Sequence, residues 1–163
     1  MIYILVILFL LILLFGIFFY TKYNNLSDIN KKLEISLEKI QELVSFKKNK
    51  VKEILDIIKE EKYNYRYEHI SDNFIEEENE IFILFWDLKK EFKTNKKVRI
   101  IVNEVEKYEN DLEGLKDYYN CNVNLYNELY KKIPFNLLFK VLKFDNKRAF
   151  ESKKIEEFEI LKD

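Results

Sequence analysis

The chain has 163 residues, 48% of them hydrophobic, with 28 Lys and Arg against 29 Asp and Glu for a net charge of −1, and it contains two Gly and one Pro. Two glycines cannot supply the positive-φ turns of a many-stranded β fold or the Gly-rich loops that cradle phosphates. One Pro with 16% aromatic residues is not the composition of a disordered chain, and a net charge of −1 gives no global electrostatic drive toward nucleic acid.

The first element is apolar. Residues 1–21 carry no charge, and only Gly16 and Thr21 fall outside the hydrophobic set. At 1.5 Å per residue this makes a helix of roughly 30 Å, the hydrocarbon thickness of a bilayer. A cleaved signal peptide would have a basic start, a shorter apolar core and a small-x-small cleavage site, and none of these is present. The segment therefore reads as an uncleaved anchor. Lys22, Lys31 and Lys32 follow it, so the positive-inside rule places the N-terminus outside and the remainder in the cytoplasm.

From Tyr23 onward apolar residues recur at Leu26, Ile29, Leu33, Leu37, Ile40, Val44, Val51, Ile54 and Ile58, with Lys47 the one interruption. Steps of three and four predict a helix, continuous with the anchor, to about Lys62. The pattern lapses over 63–71, where Ser71-Asp72 offers an N-cap. A second helix is predicted from Asn73 to about Phe92, on Phe74, Ile81, Phe85, Leu88 and Phe92. Thr94 or Asn95 can cap a third, carried by Val98, Ile101, Val105, Tyr108, Leu112, Leu115, Tyr119, Tyr126, Leu129 and Ile133, with Asn122 or Val123 filling the gap. Pro134 ends it. Leu137, Leu138, Val141 and Leu142 predict a short amphipathic helix, and 151–163 a mobile tail. Gly114 in mid-helix reads as a close helix approach, and Cys121, the single cysteine, as a small buried hydrophobe. Long helices with few turns predict an all-α antiparallel four-helix bundle rather than a coiled-coil oligomer, whose seam bulky aromatic residues fit poorly.

The stretch Tyr118-Tyr119-Asn120-Cys121-Asn122-Val123-Asn124-Leu125-Tyr126-Asn127, followed by Ile133-Pro134 and Lys143-Phe144, resembles the C-terminal signature of the LemA family. In that family an Arg-x-x-Tyr-Asn-x-x-Val-x-x-Tyr-Asn run leads to Phe-Pro and then Gly-Phe. Lys116 stands at the Arg position, Ile133 at the Phe and Lys143 at the Gly, while Glu109 and Leu112 fit an upstream Glu-x-x-Ile step. Tyr23-Asn24 directly follows the anchor, and Ile40, Val44 and Lys47 fall where the family has Ile, Leu and Arg. The family's Arg-Arg-x-Asp-Leu-Ile-Pro stretch is represented only by residues 46–52, without the Pro. The resemblance implies a bacterial, membrane-anchored helical bundle without established enzymatic activity. Its motif residues here are Tyr23, Asn24, Glu109, Lys116, Tyr119, Asn120, Val123, Tyr126, Asn127, Pro134 and Phe144.

Tyr119 and Tyr126 lie two helical turns apart, as do Asn120 and Asn127. Their simplest role is structural, tyrosines packing between helices and asparagines bonding across the bundle to fix register. A polar groove for a partner or small ligand is the functional alternative. His69, the only histidine, reads as a solvated residue in a connection, and Glu76, Glu77, Glu78 and Glu80 as a solvated acidic helix start. Lys47, Lys48, Lys50 and Lys52 read as one side of a mixed-charge face. Pro134-Phe135 with Leu138, Val141, Leu142, Phe144 and Phe150 form the best candidate binding surface, or the cap that closes the bundle end. No catalytic, cofactor or metal set is expected. The predicted organisation is an anchor over 1–21 and a bundle over 22–150. The expected function is a membrane-anchored interaction or scaffold protein with a protein partner or self-association, neither nucleic acid nor small-molecule substrate. A membrane-bound sensor or enzyme with a pocket inside the bundle is the alternative.

Overall fold

The computed structural model describes residues 2–59, 73–132, 135–142 and 144–151. Their regular structure is helical: α1 is Ile2–Ile58, α2 Phe74–Glu91, α3 Lys96–Lys131 and α4 Phe135–Leu142. The boundaries follow from local chemistry. Helix α1 stops where Lys59 turns left-handed, φ 53°, with its N–H on the Leu55 carbonyl at 2.8 Å. Asn73 caps α2, its side chain accepting from the Ile75 N–H at 3.3 Å, and Glu76 and Glu77 occupy the first turn. The cap predicted at Ser71-Asp72 lies outside the described residues, as do the connection around His69, Ile133-Pro134 and the tail from Ser152. Asn95 caps α3, its Oδ1 accepting from Lys97 N at 3.0 Å and Val98 N at 3.4 Å.

The chain divides into two compact units. One comprises Ser36–Tyr118 with the segment from Phe150. Its core is Ile40, Val44, Val51, Ile54 and Leu55 of α1; Ile81, Phe82, Leu84, Phe85 and Leu88 of α2; and Val98, Ile101, Val102, Val105 and Leu112 of α3. Lys89 meets Glu106 at 2.5 Å and Lys50 meets Glu104 at 2.8 Å, while Lys47 meets Glu109. Contacts that recede along α3 as they advance along α1 or α2 make both pairings antiparallel. Phe150 packs edge-on against Phe74 at 5.9 Å.

The other unit comprises Met1–Ile35 with Tyr119–Ala149. Leu26 and Leu33 of α1, Tyr119, Val123 and Tyr126 of α3, and Phe135 and Phe139 of α4 are its buried apolar and aromatic residues, with Asn122 of α3 buried among them. Phe139 is its hub, with ring centroids 4.9 Å from Tyr126, 5.0 Å from Tyr130 and 6.0 Å from Phe144, all edge-on. The Phe144 N–H donates to the Phe139 carbonyl at 2.9 Å and closes the C-terminal turn of α4. Every side chain over 2–18 is exposed, and an 18-residue window of α1 has a mean hydropathy of 3.3. That surface is long and apolar enough to cross a bilayer, and in water it would be a far larger apolar patch than a soluble monomer exposes.

Several predicted burials shift by a residue. Ser36 is buried where Leu37 was expected, and Tyr108 is exposed. Cys121 is exposed, which overturns its reading as a core residue. Gly114 is also exposed, and nothing lies within 4 Å of the place its Cβ would take, so close helix packing does not explain it. A glycine in an open helical position only costs backbone entropy. Gly114→Ala is therefore expected to stabilise the protein by about 0.5–1 kcal/mol, read as a higher urea midpoint in chemical denaturation.

Candidate functional site

The unit built around Ser36–Tyr118 carries charge in its interior. Lys47, on the buried face of α1, is only 3% exposed. Its Nζ lies 4.8 Å from the ring centroids of both Phe82 and Phe85 on α2, and 2.6 Å from Glu109 Oε1 on α3. The contact with Glu109 is an ion pair. Two ring faces and one carboxylate replace the water that the ammonium loses. The expected solvated role for Lys47 is thus corrected: α2 covers it.

Lys116 on α3 is deeper still, at 1% exposure. Its Nζ donates to Glu78 Oε1 on α2 at 3.1 Å and to Glu113 Oε1 one turn away at 2.8 Å. Burial alone would lower the Lys116 pKa, but the carboxylates of Glu78 and Glu113 more than reverse this and hold it above its ordinary value. Glu78, expected in a solvated acidic turn, is buried, and among the described residues its Oε2 has no hydrogen-bond partner. Its neighbour Glu77 instead pairs across to Lys48 of α1. Among the described residues no group of three or more His, Cys, Asp or Glu is placed to hold a metal ion.

The Tyr-Asn repeats lie in the other unit and do different work. Tyr126 is fully buried, its hydroxyl unpartnered among the described residues, and burial followed by the charge of Asp145 pushes its pKa up to about 12. Burial also raises the Tyr119 pKa. Asn127 grips the backbone of Lys147 from both sides: its Nδ2 donates to the Lys147 carbonyl at 2.8 Å and its Oδ1 accepts from the Lys147 N–H at 3.0 Å. It thus fastens the segment after α4 onto α3. Val123 is buried, Asn120 and Phe144 half-buried, and Asn124 exposed. Tyr23 and Asn24 are exposed and join neither cluster, and Pro134 lies outside the described residues. The supposed surface around Phe135 is divided: Phe135 and Phe139 are core, Phe150 belongs to the other unit, and Val141 stays exposed.

A groove of about 330 Å³ opens at the α2–α3 corner. Trp86 and Phe92 contribute its rings, with Lys89 over Trp86 at 4.6 Å and paired to Glu106. Lys90, Lys93 and Arg99 also line it, and no ion pair engages them among the described residues. Their clustering was not apparent in the sequence, because the turn over 92–95 is what brings Arg99 beside Lys90.

Removing the Lys116 cation strands Glu78 in the interior. Lys116→Met is expected to cost about 3–5 kcal/mol, and adding Glu78→Leu to recover most of it, in urea unfolding of the detergent-solubilised chain. Tyr126→Phe deletes a hydroxyl that satisfies nothing, so at neutral pH it is expected to raise stability by about 0–1 kcal/mol. Folded Tyr126 keeps its proton to about pH 12, whereas an unfolded tyrosine loses it near 10. The folded state therefore binds more protons in that window, and stability falls as pH rises through it. Lys116, also raised, loses its contribution above its ordinary 10.5. Denaturation at successive alkaline pH values should show a shallower decline in Tyr126→Phe than in the parent.

Comparison with known proteins gives one family match, the LemA family, over residues 25–160. Neither a curated protein nor a solved structure matches the chain. The match spans most of the sequence, and includes Lys47, Glu109 and Lys116 of the ionic interior as well as the Tyr-Asn repeats of α3. With its long apolar N-terminal helix, the chain belongs to the LemA family as a membrane-associated helical-bundle protein with no defined catalytic activity.

Proposed function

We propose that the chain is a membrane-anchored interaction protein whose bundle presents a surface to protein partners, with residues 1–21 as the anchor and 22–150 as the bundle. The N-terminus lies outside and the bundle in the cytoplasm, on the strength of Lys22, Lys31 and Lys32 just after the apolar run. The reading is carried by a contrast among the charges. Lys47 and Lys116 are buried against carboxylates and so serve the fold, whereas Lys90, Lys93 and Arg99 stand unpaired among the described residues beside Trp86 and Phe92. Aromatic rings with arginine and lysine around an open groove suit an acidic segment that also carries an apolar side chain. The motif residues Asn127 and Tyr126 act, in this reading, by holding the bundle together rather than by touching the partner.

Affinity purification from gently solubilised membranes tests it. The triple variant Lys90→Glu, Lys93→Glu, Arg99→Glu should lose specific co-purifying proteins while keeping the parent's helical content, and raising salt should release them from the parent. Equal recovery from both proteins would refute the groove as the interaction surface. Protease treatment of sealed vesicles checks the orientation: the bundle should be protected in right-side-out vesicles and digested in inverted ones.

A further inference from the structure

We propose that α4 is a second membrane contact, an interfacial helix that lays Leu137 and Val141 against the lipid beside the anchor. The inference rests on the reading of residues 1–21 as a bilayer span. Lys22 is the first charged residue after that span, and its side chain stays at the boundary. Its Nζ lies 5.4 Å from the Phe18 ring centroid and 5.5 Å from that of Phe135, the first residue of α4. One ammonium group therefore ties the start of α4 to the level at which α1 leaves the hydrocarbon.

The outward face of α4 has the wrong chemistry for water. Phe135 and Phe139 turn inward and are buried. On the opposite side, one turn apart, stand Leu137 at 52% exposure and Val141 at 78%. Leu138 and Leu142, both half-buried, extend the apolar surface on one flank, while exposed Lys140 and half-buried Asn136, its Oδ1 enclosed, lie on the other. A short helix facing solvent would place its polar residues where Leu137 and Val141 are. A helix lying in the headgroup layer places apolar side chains toward the acyl boundary and a lysine at its polar edge, as here. Eight residues give a helix of about 12 Å, so a helix that starts at Lys22 stays within reach of an interfacial layer of about 5–10 Å. Tyr20 and Tyr23, both exposed, flank the same boundary and fit the aromatic belt of an interface.

Tryptophan scanning tests this on the full-length chain in phosphatidylcholine vesicles, unbrominated or with lipid brominated on its acyl chains either near the headgroup, to report on α4, or near the chain ends, to report on Leu11→Trp at mid-span. In a Trp86→Phe background, single Leu137→Trp, Val141→Trp, Lys140→Trp and Leu11→Trp substitutions are compared, each with the helical content of the parent. Leu137→Trp and Val141→Trp should emit blue-shifted light and be quenched about twofold or more by brominated lipid, with Lys140→Trp little affected and Leu11→Trp strongly quenched. Quenching at Leu11→Trp with none at 137 and 141 would overturn the α4 contact and leave the anchor standing. No quenching at any of these positions would overturn both. Blue-shifted but unquenched emission at 137 and 141 would mean that protein covers this face, and would equally refute lipid contact. A spin label on Val141→Cys in a Cys121→Ser background gives an independent measure: collisions should be more frequent with oxygen than with a water-soluble nickel chelate, and the reverse would count against the proposal.

Discussion

Two buried ammonium groups constrain the packing of α1, α2 and α3 in the unit around Ser36–Tyr118. An aliphatic core tolerates a helix sliding by a turn, because one Leu replaces another. A charged one does not. Displacing α3 against α2 by one turn would take Lys116 away from Glu78 at 3.1 Å and leave a carboxylate and an ammonium buried apart, a loss of several kcal/mol. Lys47 adds the third helix to the same register, since its cation needs the Phe82 and Phe85 rings of α2 and the Glu109 carboxylate of α3 together. Desolvation offsets much of the Coulombic gain in such pairs, so their effect is to penalise wrong arrangements more than to deepen the right one.

That constraint also explains where the sequence was legible and where it was not. Helix existence was written in the three-and-four spacing, and all four helices lie close to their expected places. The phase of the buried face was harder. On α3 the interior runs through Val105, Glu109, Leu112, Lys116, Tyr119, Val123 and Tyr126, with Glu109 half-buried. Reading hydrophobicity alone selects Tyr108 and Leu115 instead, each one residue early, because the true positions hold a Glu and a Lys. The same happens on α1, where Ser36 and Lys47 take interior positions and Leu37 is half-buried. Whether a lysine is solvated or buried is decided by what faces it from another helix. Glu78 lies 38 positions from Lys116, and no local pattern joins them. One signal was available: Lys47 interrupts an otherwise regular apolar stripe, and an interruption that leaves the period intact marks a charged residue inside the seam. The family resemblance carried the same information, placing Lys47 and Lys116 at positions of a basic residue.

The two units are held by different physics. Around Lys47 and Lys116 cohesion combines apolar burial with paired charge, and burial protects those pairs from salt. In the unit with the anchor the interior is aromatic: Phe139 meets Tyr126, Tyr130 and Phe144 edge-on, and the Asn127 grip on Lys147 adds two backbone hydrogen bonds. Edge-on rings supply contact area with few rotatable bonds, so little side-chain entropy is lost in ordering them. This is why the Tyr-Asn repeats look like a motif in the sequence although their members separate in function: seven-residue spacing puts Tyr119 and Tyr126 inward together and sets each following Asn at the rim, where Asn127 bonds the chain passing over it.

Among the described residues charge falls into distinct arrangements. Residues 1–21 have no charge to balance, the interior pairs cancel locally, and most of the other charges on α1, α2 and α3 lie on their outer faces. Only the last group is open to another molecule, and it is not uniform. Some outer lysines pair with a carboxylate along or across helices, as Lys50 does with Glu53 at 3.0 Å and Glu104 at 2.8 Å. At the α2–α3 corner Lys89 still pairs with Glu106, but the basic residues beyond it do not pair among the described residues. Among the described residues no ion pair engages Lys90 or Lys93, and Arg99 follows the N-terminus of α3, whose backbone dipole adds positive potential. Positive charge therefore accumulates at the corner as a consequence of antiparallel helices joined by a four-residue turn, beside rings that the same turn leaves partly uncovered.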